Sequence, residues 1–298
     1  MQVVKPVEFT DGMITSNSLV DLNSTWSSAT TYTAGALVTY NKRTYESLQA
    51  SNTNHDPASS PTWWIDTGPS NRWAIFDNQV STVSTATTSF TLVFRPGQID
   101  TIAVLNVFAS EVSLIVKDEP GGAVIYDSSQ SLDGSVVFDW YQYFFFDVSS
   151  LRTQAIFRGI PLVANCEVTL TVSIDGVSEV YAGQIVAGMT SDLGHTQYGL
   201  SAGILDFSKK ETDEYGNTSF VVRSYSKRMN PTIYISNDEL NRVQRVLYSL
   251  RAVPALWIAS DEPLLEETTV VFGFYRDFST EITYPTYSAC TMEIEGLI

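Results

Sequence analysis

Histidine and cysteine are nearly missing from this chain, with two of each in 298 residues. Cys166 and Cys290 fit no zinc-ligand spacing and make no disulfide scaffold. Both fall in strand-like runs and read as buried thiols. Charge is scarce too: 17% of residues are charged, below the ~25% usual for soluble domains. Bases are the scarcer sign, 17 against 33 acids, for a net charge of −16. Phosphate backbones and anionic lipid repel such a surface, so neither a nucleic acid nor a membrane surface is an expected partner. No stretch gathers enough Lys and Arg for a basic patch. No apolar run nears the ~20 residues of a membrane span. The first 14 residues hold Lys5, Pro6, Glu8 and Asp11 without an apolar h-region, so no secretory signal is expected, and the chain reads as made in a cytoplasm. Walker, dinucleotide and EF-hand patterns are absent, so no cofactor or metal is expected.

What the chain does hold is apolar and aromatic: 44% hydrophobic and 12% aromatic residues, enough to build cores. Alternating runs read as strands: Phe90–Phe94, Thr101–Leu105, Val112–Val116, Val136–Phe138, Tyr143–Phe146 and Glu167–Ile174. Pro120-Gly121-Gly122 and Asp133-Gly134 read as turns, and Asp175-Gly176 as a tight hairpin into Val177–Tyr181. Strands at this spacing with no helices between them predict a β-sandwich, galactose-binding-like or jelly-roll-like, over 69–188.

Residues 189–298 read as an α+β unit. Ser236 and Glu239 have capping-box spacing. Leu240, Val243, Val246, Leu247 and Leu250 then recur at helical period, and Pro254 closes the run. The spacing predicts one long helix over about 237–251. Strands are predicted on both sides of it, at 219–223, 232–235, 255–259, 268–276 and 292–294. Residues 1–23 read as an N-terminal arm. The whole is mainly β.

Residues 24–68 form a further, small unit. Forty-five residues bury little core on their own, and this stretch supplies aromatic plugs: Trp26, Tyr32 and Tyr40, with Tyr45, Trp63 and Trp64. Neighbours on a strand face opposite sides, so one of Trp63 and Trp64 plugs the core while the other points out.

Three constellations invite a catalytic reading, and the sequence argues against each. Gly199-Leu200-Ser201-Ala202-Gly203 matches the G-x-S-x-G elbow of serine hydrolases. That order needs a histidine after the serine, yet His55 and His195 both precede it. Glu211, Asp213 and Glu214, with Lys209 and Lys210, read as a solvated hairpin tip, and Asp261-Glu262 and Glu266-Glu267 as similar solvated acids. Asp192-x-x-His195 offers two metal ligands without a third. No catalytic residue is assigned, and the chain is not expected to be an enzyme.

Two resemblances follow. The order Trp26, Tyr32, Gly35, Val38, Tyr40, Tyr45, Pro57, Trp64 resembles the chitin-binding-type carbohydrate modules of families 5 and 12. Sugar rings present C–H faces that pack on aromatic planes, so the resemblance implies glycan contact, with Tyr45, Trp63 and Trp64 as the binding candidates and Trp26, Tyr32 and Tyr40 as core. Polysaccharide-binding members expose a further aromatic just after the second Tyr strand. Here that stretch is Glu46-Ser47-Leu48-Gln49. The unit therefore reads either as a glycan contact or as a spacer and docking knob.

The second resemblance spans nearly the whole chain. Asn71–Asp77, Ser226–Asn230, Leu247–Ala252, Gly273–Phe278 and Ile294–Leu297, together with the aromatic module, resemble the carbohydrate-binding tail-tip proteins of long-tailed (siphovirus-type) bacteriophages. That resemblance implies a structural protein of the virion's distal tail, assembled in the host cytoplasm. It implies phage tail-tip and hub proteins as partners, a homo-oligomeric ring of three-fold or six-fold symmetry, and contact with host surface glycan. The C-terminal unit would dock to the tail. The alternative is a free glycan-binding protein or an accessory module of a carbohydrate-active enzyme.

Overall fold

The computed structural model describes residues 1–132, 151–176, 179–212, 214–262, 265–282 and 284–297. The predicted runs Val136–Phe138 and Tyr143–Phe146 and the Asp133-Gly134 turn lie outside the described residues. The molecule is mainly β, as the patterning predicts. Its largest element is a 12-stranded sheet in which Gln154–Arg158, Thr101–Phe108, Val180–Asp192, Gln2–Pro6, Ala255–Ile258, Val270–Glu281, Tyr287–Gly296, Tyr225–Asn230 and Ser201–Asp206 follow one another. A second sheet runs Val124–Ser131, Glu111–Lys117, Glu167–Ser173, Ser89–Phe94 and Ile14–Asn17.

The two sheets make the predicted sandwich. Strict alternation in Ser89–Phe94, Glu111–Lys117 and Glu167–Ser173 puts Phe90, Leu92, Phe94, Val112, Leu114, Leu170 and Val172 on one buried face. They meet Ile102, Val104, Phe157, Ile185 and Ala187 of the large sheet. Strands Thr101–Phe108 and Val180–Asp192 lack that alternation because both of their faces are covered. Ala103, Leu105 and Val186 belong to a core on the other side, so the runs are apolar throughout. Gly121, at φ +74°, turns the hairpin between Glu111–Lys117 and Val124–Ser131.

One predicted hairpin is a crossing instead. Gly176 has the expected positive φ, but Glu167–Ser173 lies in the second sheet and Val180–Asp192 in the large one. Residues 177–178 of that predicted strand lie outside the described residues, and the strands before and after them belong to opposite layers of the sandwich, each finding its ladder elsewhere. The N-terminal 23 residues are laid into both sheets: Gln2–Pro6 pairs with Val180–Asp192 on one side and Ala255–Ile258 on the other, and Ile14–Asn17 pairs with Ser89–Phe94. The cut expected at 188/189 falls inside Val180–Asp192, which carries the sheet from the sandwich into the C-terminal half.

The long helix, α1 (Leu240–Ser249), covers that half of the sheet. Val243, Leu247 and Leu250 pack with Trp257, Ile233, Met292 and Ile294. The capping box is not formed. Ser236 ends the strand Thr232–Ser236, and the Glu239 carboxylate takes the Arg242 guanidinium, Nε at 2.9 Å. Cys166 and Cys290 are buried free thiols, and burial raises both pKa values.

Beyond α1, a single turn, α2 (Glu266–Thr269), leads into Val270–Glu281. Here the solvated-acid reading fails. Glu266 is held between Arg152 and Arg158, and Glu267 accepts from Thr153 N–H at 2.8 Å. The arginines lie over a hundred residues away in sequence, so only the fold brings them together. The contact joins the flank of the sheet's first strand to the sixth, and the sheet curls into a half-barrel.

Candidate functional site: the aromatic module

The module is built on a three-stranded sheet of Leu37–Tyr40, Arg43–Ser47 and Trp64–Pro69, with a two-stranded ribbon of Thr31–Tyr32 and Asn52–Thr53. Asn41 and Lys42, at φ +47° and +69°, form the tight two-residue turn between the first two strands. The core is Tyr32, Val38, Tyr45 and Trp64, with Trp26, Tyr40 and Trp63 packed against it. Trp26 stands edge-on to Tyr40 and Tyr32 edge-on to Trp64, the arrangement aromatic quadrupoles favour. Tyr32 lies in the core, and Trp26 and Tyr40 pack against it partly buried.

Two of the three binding candidates are corrected. Trp64 is 2% exposed and donates its indole N–H to the His55 carbonyl at 2.8 Å. Tyr45 is 8% exposed and faces Val38 across the ladder. Neither can offer a ring face to a sugar. Trp63 is half-buried and remains the one candidate that reaches the surface.

Trp63 does not stand alone. Its ring stacks on the His55 imidazole, with centroids 3.8 Å apart and planes 11° from parallel. Buried Asn52 orients the imidazole: Asn52 Oδ1 lies 3.0 Å from His55 Nδ1, while Asn52 Nδ2 donates to Ser47 Oγ at 2.9 Å. With the amide so assigned, Nδ1 is the donor and Nε2 of the neutral ring is an acceptor. The next residue fixes the loop. Asp56 accepts from Tyr40 Oη at 2.7 Å and from Ala58 N–H at 2.9 Å. The Tyr40 hydroxyl, followed by backbone N–H groups, holds the Asp56 carboxyl below its ordinary 3.8. Gln49 reaches across to the Thr62 carbonyl at 2.8 Å and borders the same face. The result is an aromatic platform with an imidazole acceptor and an amide at its rim, suited to sugar C–H faces and hydroxyls.

His55 is the residue that sequence reasoning missed. In the sequence it stands only as a histidine that precedes Ser201. The available signal was its place beside Asp56-Pro57, just ahead of the tryptophan pair, where a loop could fold it onto Trp63.

The other constellations stay apart. Ser201 opens an exposed edge strand after Gly199, and among the described residues no hydrogen bond joins it to a histidine. His195 pairs with Tyr234 in the sheet ladder, and the Asp192 carboxylate caps its own turn at Gly194 N–H, 3.0 Å. Glu211 pairs with Lys209 at 3.0 Å on the expected exposed hairpin. Among the described residues no three His, Cys, Asp or Glu side chains converge as a metal site. No described helix is long and apolar enough to cross a membrane. A separate cavity of about 250 Å³ opens inside the curled sheet, walled by Leu105, Val270, Phe272 and Leu297. Gln154 and Lys227 are among its polar lining, and the Lys227 ammonium donates to the Glu267 carbonyl at 2.8 Å.

The module sits against the sandwich through its tight turn. Lys42 Nζ lies 3.9 Å from the Trp73 ring centre and 2.8 Å from Asp11, and Ser70 N–H donates to the Lys42 carbonyl at 2.8 Å. Residues 25–65 match the model of carbohydrate-binding module family 5/12. No curated protein matches the chain. Fold and match together define a β-rich protein that carries a module of the carbohydrate-binding type.

Proposed function

We propose that the chain is a structural component of a bacteriophage tail tip that touches host surface glycan through its aromatic module and acts by binding, not by turnover. The stacked Trp63–His55 platform carries the glycan part of this reading. It reaches the surface partly buried, is backed by the module core, and lies in the stretch that matches a carbohydrate-binding family. The tail-tip part rests on the resemblance of Asn71–Asp77 and of the C-terminal stretches to such proteins. In that setting the partners are hub proteins and further copies of the chain in a three-fold or six-fold ring on the virion.

Two measurements test the reading. Binding of the full chain to insoluble chitin, β-glucan and peptidoglycan should fall at least tenfold with Trp63→Ala and less with His55→Ala, with circular dichroism showing both variants folded. Equal retention of wild type and Trp63→Ala would remove the platform. Immunogold microscopy with an antibody to 24–68 should label tail ends. Glycan binding without label on virions would favour the free glycan-binding protein or enzyme accessory module.

A further inference from the structure

The curl of the large sheet encloses a space that its own side chains do not fill. The cavity of about 250 Å³ is walled from two sides of the half-barrel. Leu105 and Gln154 come from the two strands at one end of the sheet, Thr101–Phe108 and Gln154–Arg158. Val270 and Phe272 come from Val270–Glu281, and Lys227 from Tyr225–Asn230, far along the same sheet. The three strands between them give no described lining residue. Their Val186, Val4 and Leu256 instead pack with Leu105, Val270 and Phe272 in the apolar cluster that the cavity borders.

Register turns Gln154 toward this space. It lies directly opposite Leu105 in the antiparallel ladder, and such partners share a face. Ile156, two residues on, belongs to the same apolar cluster. Gln154 is 3% exposed, and among the described residues its Nε2 has no hydrogen-bond partner. A buried donor without an acceptor is costly, and folded proteins keep few of them.

Lys227 is a second donor. Its ammonium reaches the Glu267 carbonyl at 2.8 Å, one acceptor for a group with three N–H bonds. It is the only charged side chain in the described lining, on a chain whose acids outnumber its bases 33 to 17. The Glu267 carboxylate nearby already accepts from the Thr153 N–H at 2.8 Å and the Thr153 hydroxyl at 3.4 Å. Asn106, also in the lining, donates its amide to the Val80 carbonyl at 2.7 Å.

Size bounds the ligand. An apolar cavity of about 150 Å³ takes benzene, so in proportion this one takes about ten non-hydrogen atoms. Apolar walls suit a hydrocarbon body, and two donors suit a head with two acceptor oxygens.

We propose that the cavity binds a medium-chain carboxylate, its alkyl chain against Leu105, Val270, Phe272 and Leu297 and its head on Gln154 Nε2 and the Lys227 ammonium. This is a second binding activity, separate from the aromatic module, and it does not rest on the glycan reading.

The test is titration of the full chain with sodium octanoate, followed by calorimetry and by amide NMR. One molecule should bind per chain with a Kd below about 1 mM, and the amide signals of Leu105, Val270 and Phe272 should move. Octylamine has the same chain and a head that donates, so it should bind at least tenfold more weakly. Gln154→Leu should weaken octanoate at least tenfold, and Leu297→Trp, which fills the space, should abolish its binding. Circular dichroism checks that both variants fold, and the comparison of octanoate with octylamine on the wild type needs neither. No saturable binding at tenfold that concentration, octylamine bound as tightly as octanoate, or octanoate binding unmoved in either folded variant would each overturn the proposal.

Discussion

The indole of Trp64 is enclosed by Tyr32, Val38 and Tyr45 and spends its N–H on the His55 carbonyl. Trp64→Ala should remove about 3–5 kcal/mol from a core of four side chains, more than a module this small can lose. Limited proteolysis should then cut within 24–68 while the sandwich stays intact. Asp56 makes the platform's footing acid-sensitive. Its folded pKa lies below the ordinary 3.8, so its contribution is present above 3.8 and lost as pH falls through the lower folded value. NMR titration of the Tyr40 and Asp56 signals should show the loop loosening only below that point, and Asp56→Asn should abolish the step. Lys227 has the opposite sign. Burial holds its folded pKa below the ordinary 10.5, so the unfolded chain binds more protons between the two values. Denaturant melts should show stability rising with pH across that window, and Lys227→Met should flatten the rise. At this scale the sequence was partly legible. Alternation settles that Trp63 and Trp64 part company, but not that Tyr45 faces inward with Trp64. His55 was illegible because its role exists only once the loop after Asn52 has folded back onto Trp63.

Elements were more legible than the joints between them. Strands with one wet face announce themselves by period, as Glu111–Lys117 and Glu167–Ser173 do. Helix α1 was legible from its apolar stripe, and its cap was not, since Ser236 was already committed to a strand. The Asp175-Gly176 turn was seen correctly and its destination was not, because a turn fixes local direction and not which ladder the next strand joins. Gly273 marks a joint with a measurable consequence. It lies opposite Ala255 on one side and Gly296 on the other, and a Cβ there would stand 2.0 Å from the Glu295 carbonyl oxygen. Gly273→Ala should push Val270–Glu281 off its neighbour and cost about 1–3 kcal/mol, read as a lower melting temperature with the module's own signals unmoved.

For the whole molecule, the sandwich and the C-terminal unit expected from the sequence share one sheet, and its curl is fastened by Arg152 and Arg158 on Glu266. Glu266→Ala would leave the half-buried Arg152 guanidinium without its carboxylate while Arg158 keeps Asp261, an expected loss of about 1–3 kcal/mol. Hydrogen exchange should rise first in Gln154–Arg158, the strand at that edge. The position of Gln2–Pro6 bears on how this protein is made. Its ladder partners are Val180–Asp192 and Ala255–Ile258, so it leaves the ribosome well over a hundred residues ahead of either. At about 5–20 residues per second, translation keeps Val3 and Val4 waiting on the order of 10–50 s for their second partner. Of these three neighbouring strands the first to be made thus waits for the other two before it is fully paired. Until the C-terminal half emerges, a nascent chain carries an open slot in its central sheet and an unpaired apolar strand to fill it.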